Sequence, residues 1–286
     1  RDIGVTGVQT CALPISSAVD SRGHVYIADT DNNRVRRLVP GDAAVVEPPG
    51  QSTDDIVVMN GASFRSGPIA PGTILSIFGT GIGPATTASG KLNAAGRLDS
   101  DLQGTQVRFD GVAAPLFYAS ATQINLQVPY AVAERTETEV EIVQGGRVRA
   151  RFRVPVASAM PGVFTTQNGV GQVVAVNEDG TLNSAGNPAA RGSIVTLYAT
   201  GEGQTAPGGR DGYPAAEPLP LPVLDIDVMV GTSHADVLWA GAAPGFVGLL
   251  QVNLKLPGVF TPPGIRTLTL SVGGVASQAG VTIAVR

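Results

Sequence analysis

Short apolar runs rich in Val, Ile and Thr recur along the chain, and Gly or Pro closes most of them. No long segment carries apolar residues at the spacing of a helix face. Runs of this kind, broken by turn residues, predict an all-β protein of many short strands. The most informative pair lies in residues 136–154, TETEVEIVQGGRVRARFRV. Glu137, Glu139 and Glu141 share one face of its first strand; Arg147, Arg149, Arg151 and Arg153 share one face of its second. A two-residue turn at Gly145 and Gly146 would set Glu141 opposite Ala150 and mix charged with apolar faces. A three-residue loop, 144–146, sets Glu141 opposite Arg149, Glu139 opposite Arg151, Glu137 opposite Arg153 and Ile142 opposite Val148. Pairing keeps like faces together, so the three-residue loop is expected, with a Gly at positive φ.

The pattern also repeats. Residues 71–84, PGTILSIFGTGIGP, align with 191–204, RGSIVTLYATGEGQ, at an offset of 120. Val107 and Tyr118 align with Val228 and Trp239 at an offset of 121. Gln123, Asn125 and Pro129 align with Gln251, Asn253 and Pro257 at an offset of 128, as do the two Gly-Gly turns at 145 and 273. The jump from 121 to 128 places a seven-residue insertion in the second copy, between Trp239 and Gln251. Each copy has roughly the size of an immunoglobulin-like sandwich, about 100 residues. The expected fold is two tandem immunoglobulin-like β-sandwiches, at 56–158 and 173–286, joined by a connector at 159–172.

Ahead of them, residues 41–55, GDAAVVEPPGQSTDD, read as a linker. Residues 16–40 read as a β-hairpin around the turn-rich loop Asp29 to Asn33. The phrase AVDSRGHVYIADTDNNRVRRL resembles an NHL repeat, one blade of a β-propeller, and a blade packs between neighbours. The resemblance implies that this is a fragment of a propeller truncated at its N-terminal side, and NHL propellers are interaction platforms. Residues 5–15, VTGVQTCALPI, resemble a translated sequencing adapter, so 1–15 are set apart from fold reasoning, with the true N-terminus expected to be missing. Cys11, the chain's one cysteine, falls there.

The order PGTILSIFGTGIGP, then VRFDGVAAPLFYASATQINLQVP, then EVEIVQGGRVRARFRVPV resembles an IPT/TIG domain. Asp110 and Gly111 stand where that family often has two glycines. The tandem pair is also similar to an uncharacterised C-terminal module of Solibacter-type bacterial proteins, which often follows NHL or other repeats. The resemblance implies immunoglobulin-like sandwiches serving as extracellular binding or spacer modules, and it supplies no catalytic residue.

Composition narrows the function classes. Net charge is −4, from 19 basic and 23 acidic residues, which gives no electrostatic case for nucleic acid. No run of ~18 apolar residues exists to span a membrane. Ser233, His234 and Asp236 form a triad only on paper, because neighbours on one strand or turn cannot converge. Residues 177–183, NEDGTLN, lack the further acidic ligands of a calcium loop and read as a turn at Asp179 and Gly180. The glycines of 79–83 lack the helix of a dinucleotide loop. No cofactor, metal or catalytic residue is expected.

The expected function is a non-catalytic structural or interaction module of a secreted or cell-surface bacterial protein, spacing or docking an NHL propeller. An adhesion module for protein or polysaccharide is the alternative, with contacts at Trp239, Phe246, Val247 and Leu249. Arg149 and Arg151 are further contact candidates, for an acidic glycan, although a solvated cross-strand ladder is the favoured explanation of them. A remote third reading is an accessory domain of a glycan-active enzyme. If the insertion instead fixes the angle between the sandwiches, Phe246 should be largely buried.

Overall fold

The computed structural model describes the strands Ser16–Val19, Val25–Asp29 and Arg34–Leu38, then residues 55–258 and 262–286. Residues 1–15 and 41–54 lie outside the described residues. The chain divides into two units, Arg1–Glu47 and Pro48–Arg286. In the first, three strands form an antiparallel meander. Ser17 lies opposite Ile27, and Ile27 lies opposite Arg36.

In the second unit the repeat becomes two β-sandwiches. The first has a sheet ordered Val57–Asn60, Ile74–Phe78, Gln123–Gln127, Leu116–Ala119 and Ala88–Ser89. Its other sheet is ordered Arg147–Pro155, Glu137–Gln144, Thr105–Phe109 and Val112–Ala113. Alternation decides which side chains meet: Thr105, Val107 and Phe109 are buried while Gln106 and Arg108 are not. Leu75, Ile77, Leu116, Ile124 and Leu126 from the first sheet pack against Val107, Phe109, Val140 and Ile142 from the second. Each such side chain contributes about 1.5–3 kcal/mol by leaving water. The second core is built likewise from Val195, Leu197, Val228, Val252, Leu254, Leu268, Leu270 and Ile283.

The copies share their key registers. Asn125 lies opposite Tyr118, and Asn253 lies opposite Trp239. In both central strands a Gln amide donates to the Asn two residues on: Gln123 to Asn125 at 2.9 Å, Gln251 to Asn253 at 3.0 Å. Parallel bridges join Ile69 to Val156 and Ala189 to Val285, bringing the entry of each sandwich beside its last strand.

Three differences matter. In the first copy Ala114 and Pro115 separate Val112–Ala113 from Leu116–Ala119. In the second, one strand, Ser233–Ala242, passes from one sheet to the other, with Leu238 as the extra residue at a register shift. Second, the tight turn 120–122 becomes a loop at 243–249, which takes up four residues of the insertion, the rest lengthening the flanking strands. Third, residues 159–172, expected as a connector, supply Gly162–Val163 to the strand Ile194–Thr200 and place Ala159 and Val163 in the second core.

The hairpin corrects the sequence expectation. Gly145 and Gly146, at φ 60° and 74°, make a two-residue turn that sets Gln144 opposite Arg147 and Val143 opposite Val148. The register then shifts: Ile142 faces Ala150, Glu141 faces Arg151 and Glu139 faces Arg153. Arg149 is the extra residue of a β-bulge. Keeping charged positions together held as a rule. The chain satisfies it with the intrinsically favoured turn plus a bulge, rather than with a longer loop. Arg151 pairs with Glu141 and, at 3.5 Å, with Glu139; Arg153 pairs with Glu137.

A double-mutant cycle tests this register. Glu141 and Arg151 are expected to show a favourable coupling in chemical denaturation, and Glu141 and Arg149 none. Coupling of Glu141 to Arg149 alone would restore the three-residue loop.

Candidate functional site

The two sandwiches meet along a seam at which main chain touches main chain. A Cβ at Gly169 of the second sandwich would fall 2.2 Å from Ser63 O of the first. Beside this, Gly201, Glu202 and Gly203 extend the pairing of Ile194–Thr200 with Gly162–Val163 back along residues 158–160, where the chain enters the second sandwich. Met160 N–H donates to Gly201 O at 2.8 Å. A Cβ at Gly203, whose φ is +81°, would fall 1.9 Å from Ser158 O. Asn60, buried at the edge of the first sandwich, donates through Nδ2 to Met160 O at 2.9 Å. Its Oδ1 accepts from the N–H groups of Ala62 and Ser63. Thr200 Oγ1 accepts from Ile74 N–H and donates to Gly248 O, both at 2.8 Å, so one hydroxyl ties the first sandwich to the inserted loop.

A second contact captures the long Pro- and Gly-rich loop that follows the seam. Asp211 Oδ1 accepts from Tyr130 N–H at 2.9 Å, and Gln127 Oε1 accepts from Gly212 N–H at 2.7 Å. Gly212 O accepts from Leu98 N–H at 2.9 Å. The ring of Tyr130 is held between Gly72 of the first copy and Gly209 of the second. An added Cβ would lie 2.6 Å and 2.1 Å from its atoms respectively.

Glu202 is the unusual group here. In the repeat it takes the place of Ile82, a core residue that is 1% exposed. Glu202 is itself 2% exposed, and its Oε2 has no hydrogen-bond partner. Burial pushes its carboxyl up to about 7, while hydrogen bonds from its own N–H and that of Gly201 pull the other way. Burial, then the charges of Glu202 and Asp211, also raise the Tyr130 hydroxyl above its ordinary value, against a hydrogen bond with Thr205. Asp211 is raised by burial, opposed by the Tyr130 N–H and Arg97.

Beside the seam lies a cleft of about 440 Å³, with Tyr130, Arg210, Tyr213, Pro214, Glu217 and Phe246 among its lining. Arg210 Cζ sits 3.8 Å from the centroid of the Tyr213 ring, a cation–π contact. Phe246 is 58% exposed, which corrects the expectation that it is buried. The inserted loop nonetheless packs on the first sandwich, through Gly248 against Gly72, Ile74 and Gln127. The contact runs through Gly248, while Phe246 stays exposed and lines the cleft.

The other sequence candidates are scattered. Val247 is buried and Leu249 half-buried. Trp239 is half-buried, its indole lying beside Gly241, and it does not line the cleft. Arg149 and Arg151 belong to the first sandwich's hairpin, also outside the cleft lining. His234 Nδ1 lies 2.7 Å from Asp227 Oδ1 across a strand pair, so its partner is not Asp236. Asp179 Oδ1 accepts from the N–H and hydroxyl of Thr181, closing the turn at Gly180. Sequence reasoning missed Tyr130, Glu202, Arg210 and Tyr213. Two signals mark three of them: an acid aligned with a core Ile for Glu202, and the long segment 207–220, dense in Pro and Gly, for Arg210 and Tyr213.

Residues 14–38 match the family model of the NHL repeat. A search of curated protein sequences finds no match. Solved structures similar to this chain include the plexin A4 extracellular region, with 14% identity, 80% of this chain and 18% of that chain covered, and a TM-score of 0.25. SGBP-B from a xyloglucan utilization locus of Bacteroides uniformis shows 13% identity, coverage of 74% and 46%, and a TM-score of 0.24. SGBP-B from a mixed-linkage glucan utilization locus of Bacteroides ovatus, in complex with a heptasaccharide, shows 12%, coverage of 92% and 52%, and 0.32. This chain spans about half the length of those two proteins, or less. Among the described residues, no helix is long and apolar enough to cross a membrane.

Two outcomes are expected at the seam. Gly203→Ala should cost about 3 kcal/mol in urea denaturation, from a left-handed backbone and a collision with main chain. Gly208→Ala, with open space around its Cβ, should stay within about 0.5 kcal/mol of the parent. Glu202 makes stability depend on pH. A carboxyl whose folded value is raised binds more protons folded than unfolded between about 4.5 and about 7. Its contribution is therefore full below pH 4.5, falls as pH rises, and levels off above 7 with about 3 kcal/mol lost. Asp211 acts in the same direction. Denaturation midpoints from pH 4 to 8 should show this slope, and Glu202→Gln should flatten it.

Proposed function

We propose that residues 56–286 are a non-catalytic structural and interaction module that holds two immunoglobulin-like sandwiches at a set angle, in a secreted or cell-surface bacterial protein. In this reading it spaces or docks the propeller to which the NHL repeat at 14–38 belongs. The observation that carries it is the seam. Main chain of the first sandwich meets main chain of the second at Ser63 and Gly169 and at Gly72 and Gly248, and hydrogen bonds through Asn60, Thr200, Gln127 and Asp211 cross on either side. Flexible linkers between independent domains have few crossing contacts. The likeness of the tandem pair to IPT/TIG domains, read from residues 71–84, 107–129 and 139–156, accords with a spacer or binding role.

A second reading, an adhesion or recognition module, is favoured by one specific feature: the exposed Phe246 ring in the cleft. The two readings are compatible, because a seam that sets the angle also shapes the cleft.

Residual dipolar couplings test rigidity. Amide vectors of the two sandwiches should fit one alignment tensor. Thr200→Val, which strips the hydroxyl bridging Ile74 and Gly248, should lower stability by about 1–3 kcal/mol by leaving both main-chain groups without that partner. Two separate tensors in the parent protein would overturn the spacer reading.

A further inference from the structure

We propose that the cleft between the sandwiches is a binding site for a short, neutral oligosaccharide. The proposal rests on the recognition reading above and names its ligand class.

The cleft is built to present surface rather than to close. Phe246 belongs to the inserted loop, and that loop is zipped to residue 215. Ala215 N–H donates to Phe246 O and Gly245 N–H donates to Ala215 O, each at 2.8 Å. An apolar ring 58% exposed is thus held at water by a fixed main chain. Tyr130 is clamped between two backbones, and Pro207, Pro214, Pro218 and Pro220 add walls with no side-chain rotamers to order. Preorganised, mostly apolar walls with a few polar groups are the mark of a small-ligand site, and about 440 Å³ lies in the usual range of ~300–1,000 Å³.

The polar groups decide the ligand. Arg210 contacts the Tyr213 ring and makes no ion pair among the described residues, so its guanidinium offers donors. Glu217 accepts from Leu219 N–H at a long 3.3 Å and keeps acceptor capacity. The ligand must therefore accept at Arg210, donate at Glu217 and lay an apolar face on Phe246. A neutral sugar ring does all three, through hydroxyls that both donate and accept and through its C–H face. An acidic sugar is attracted by Arg210 and repelled by Glu217. A proline-rich peptide has carbonyl acceptors but lacks the N–H donors that Glu217 requires. The repeat supports a dedicated site: the loop bearing Phe246 holds most of the insertion, and the first copy has only the tight turn 120–122 at that place.

The test is an NMR titration and calorimetry of the whole chain with cellotetraose, xylotetraose, mannotetraose and maltotetraose. Tetragalacturonate and a proline decapeptide serve as comparators. At least one neutral tetrasaccharide is expected to saturate while shifting the ring resonances of Phe246 and Tyr213. Phe246→Ala and Arg210→Ala should each weaken it about tenfold, and Glu217→Gln should weaken it less than Glu217→Ala. Both surface variants should keep the single alignment tensor. Failure of all four sugars to shift those rings at millimolar concentration, or shifts from the comparators alone, would overturn the proposal. So would binding that survives Phe246→Ala and Arg210→Ala unchanged. A single tensor with no sugar bound sinks this inference and leaves the spacer reading standing; two tensors sink the spacer reading itself.

Discussion

The structure of residues 55–286 turns on a contact between two main chains. Gly169 of the second sandwich presses on Ser63 of the first, and Gly248 of the inserted loop presses on its Gly72. No side chain fits between them, so the approach is set by carbonyl and Cα atoms alone. Backbone atoms have no rotamers with which to yield. Everything nearby inherits that constraint. The angle brings the Pro- and Gly-rich loop over Tyr130, the loop's Asp211 and Gly212 find partners on the first copy, and the cleft forms beside them.

The repeat explains what each sandwich must do, and departures from it mark what the pair does together. Ile82 fills a core, while its counterpart Glu202 lies buried at the seam with one oxygen unpartnered. A carboxyl in such a place costs stability once ionised. The turn 120–122 is tight, while its counterpart 243–249 reaches the other sandwich and carries Phe246. Pro115 interrupts the switching strand in the first copy, while Ser233–Ala242 runs through in the second. Two of these three departures face the junction, which is where a module made of two similar halves can acquire properties that neither half has.

Some of this was legible from residues alone. The offsets of 121 and 128 located the insertion, and the paired Asn125–Tyr118 and Asn253–Trp239 registers agree with them. The opposition of Glu and Arg rows was legible too, because strand pairing sorts faces by a period of two. The bulge at Arg149 was not, since one extra residue exchanges a longer loop for a tighter turn without changing which faces meet. Phe246 was misplaced for a similar reason. The loop does pack on the first sandwich, but through Gly248, and the sequence has no term for which residue of a loop makes the contact.

The sequence by itself determined the all-β class, the repeat, the two cores and the NHL-like segment, because each rests on local alternation, turn chemistry or short motifs. Only the tertiary structure decided the seam, the burial of Glu202, the clamp on Tyr130 and the cleft that joins Tyr130 to Phe246. Those features join residues as far apart as Gly72 and Gly209, or Gln127 and Gly212. Such contacts follow from the angle between two folded bodies. Strand periodicity carries no information about that angle, and steric contact between backbones sets it.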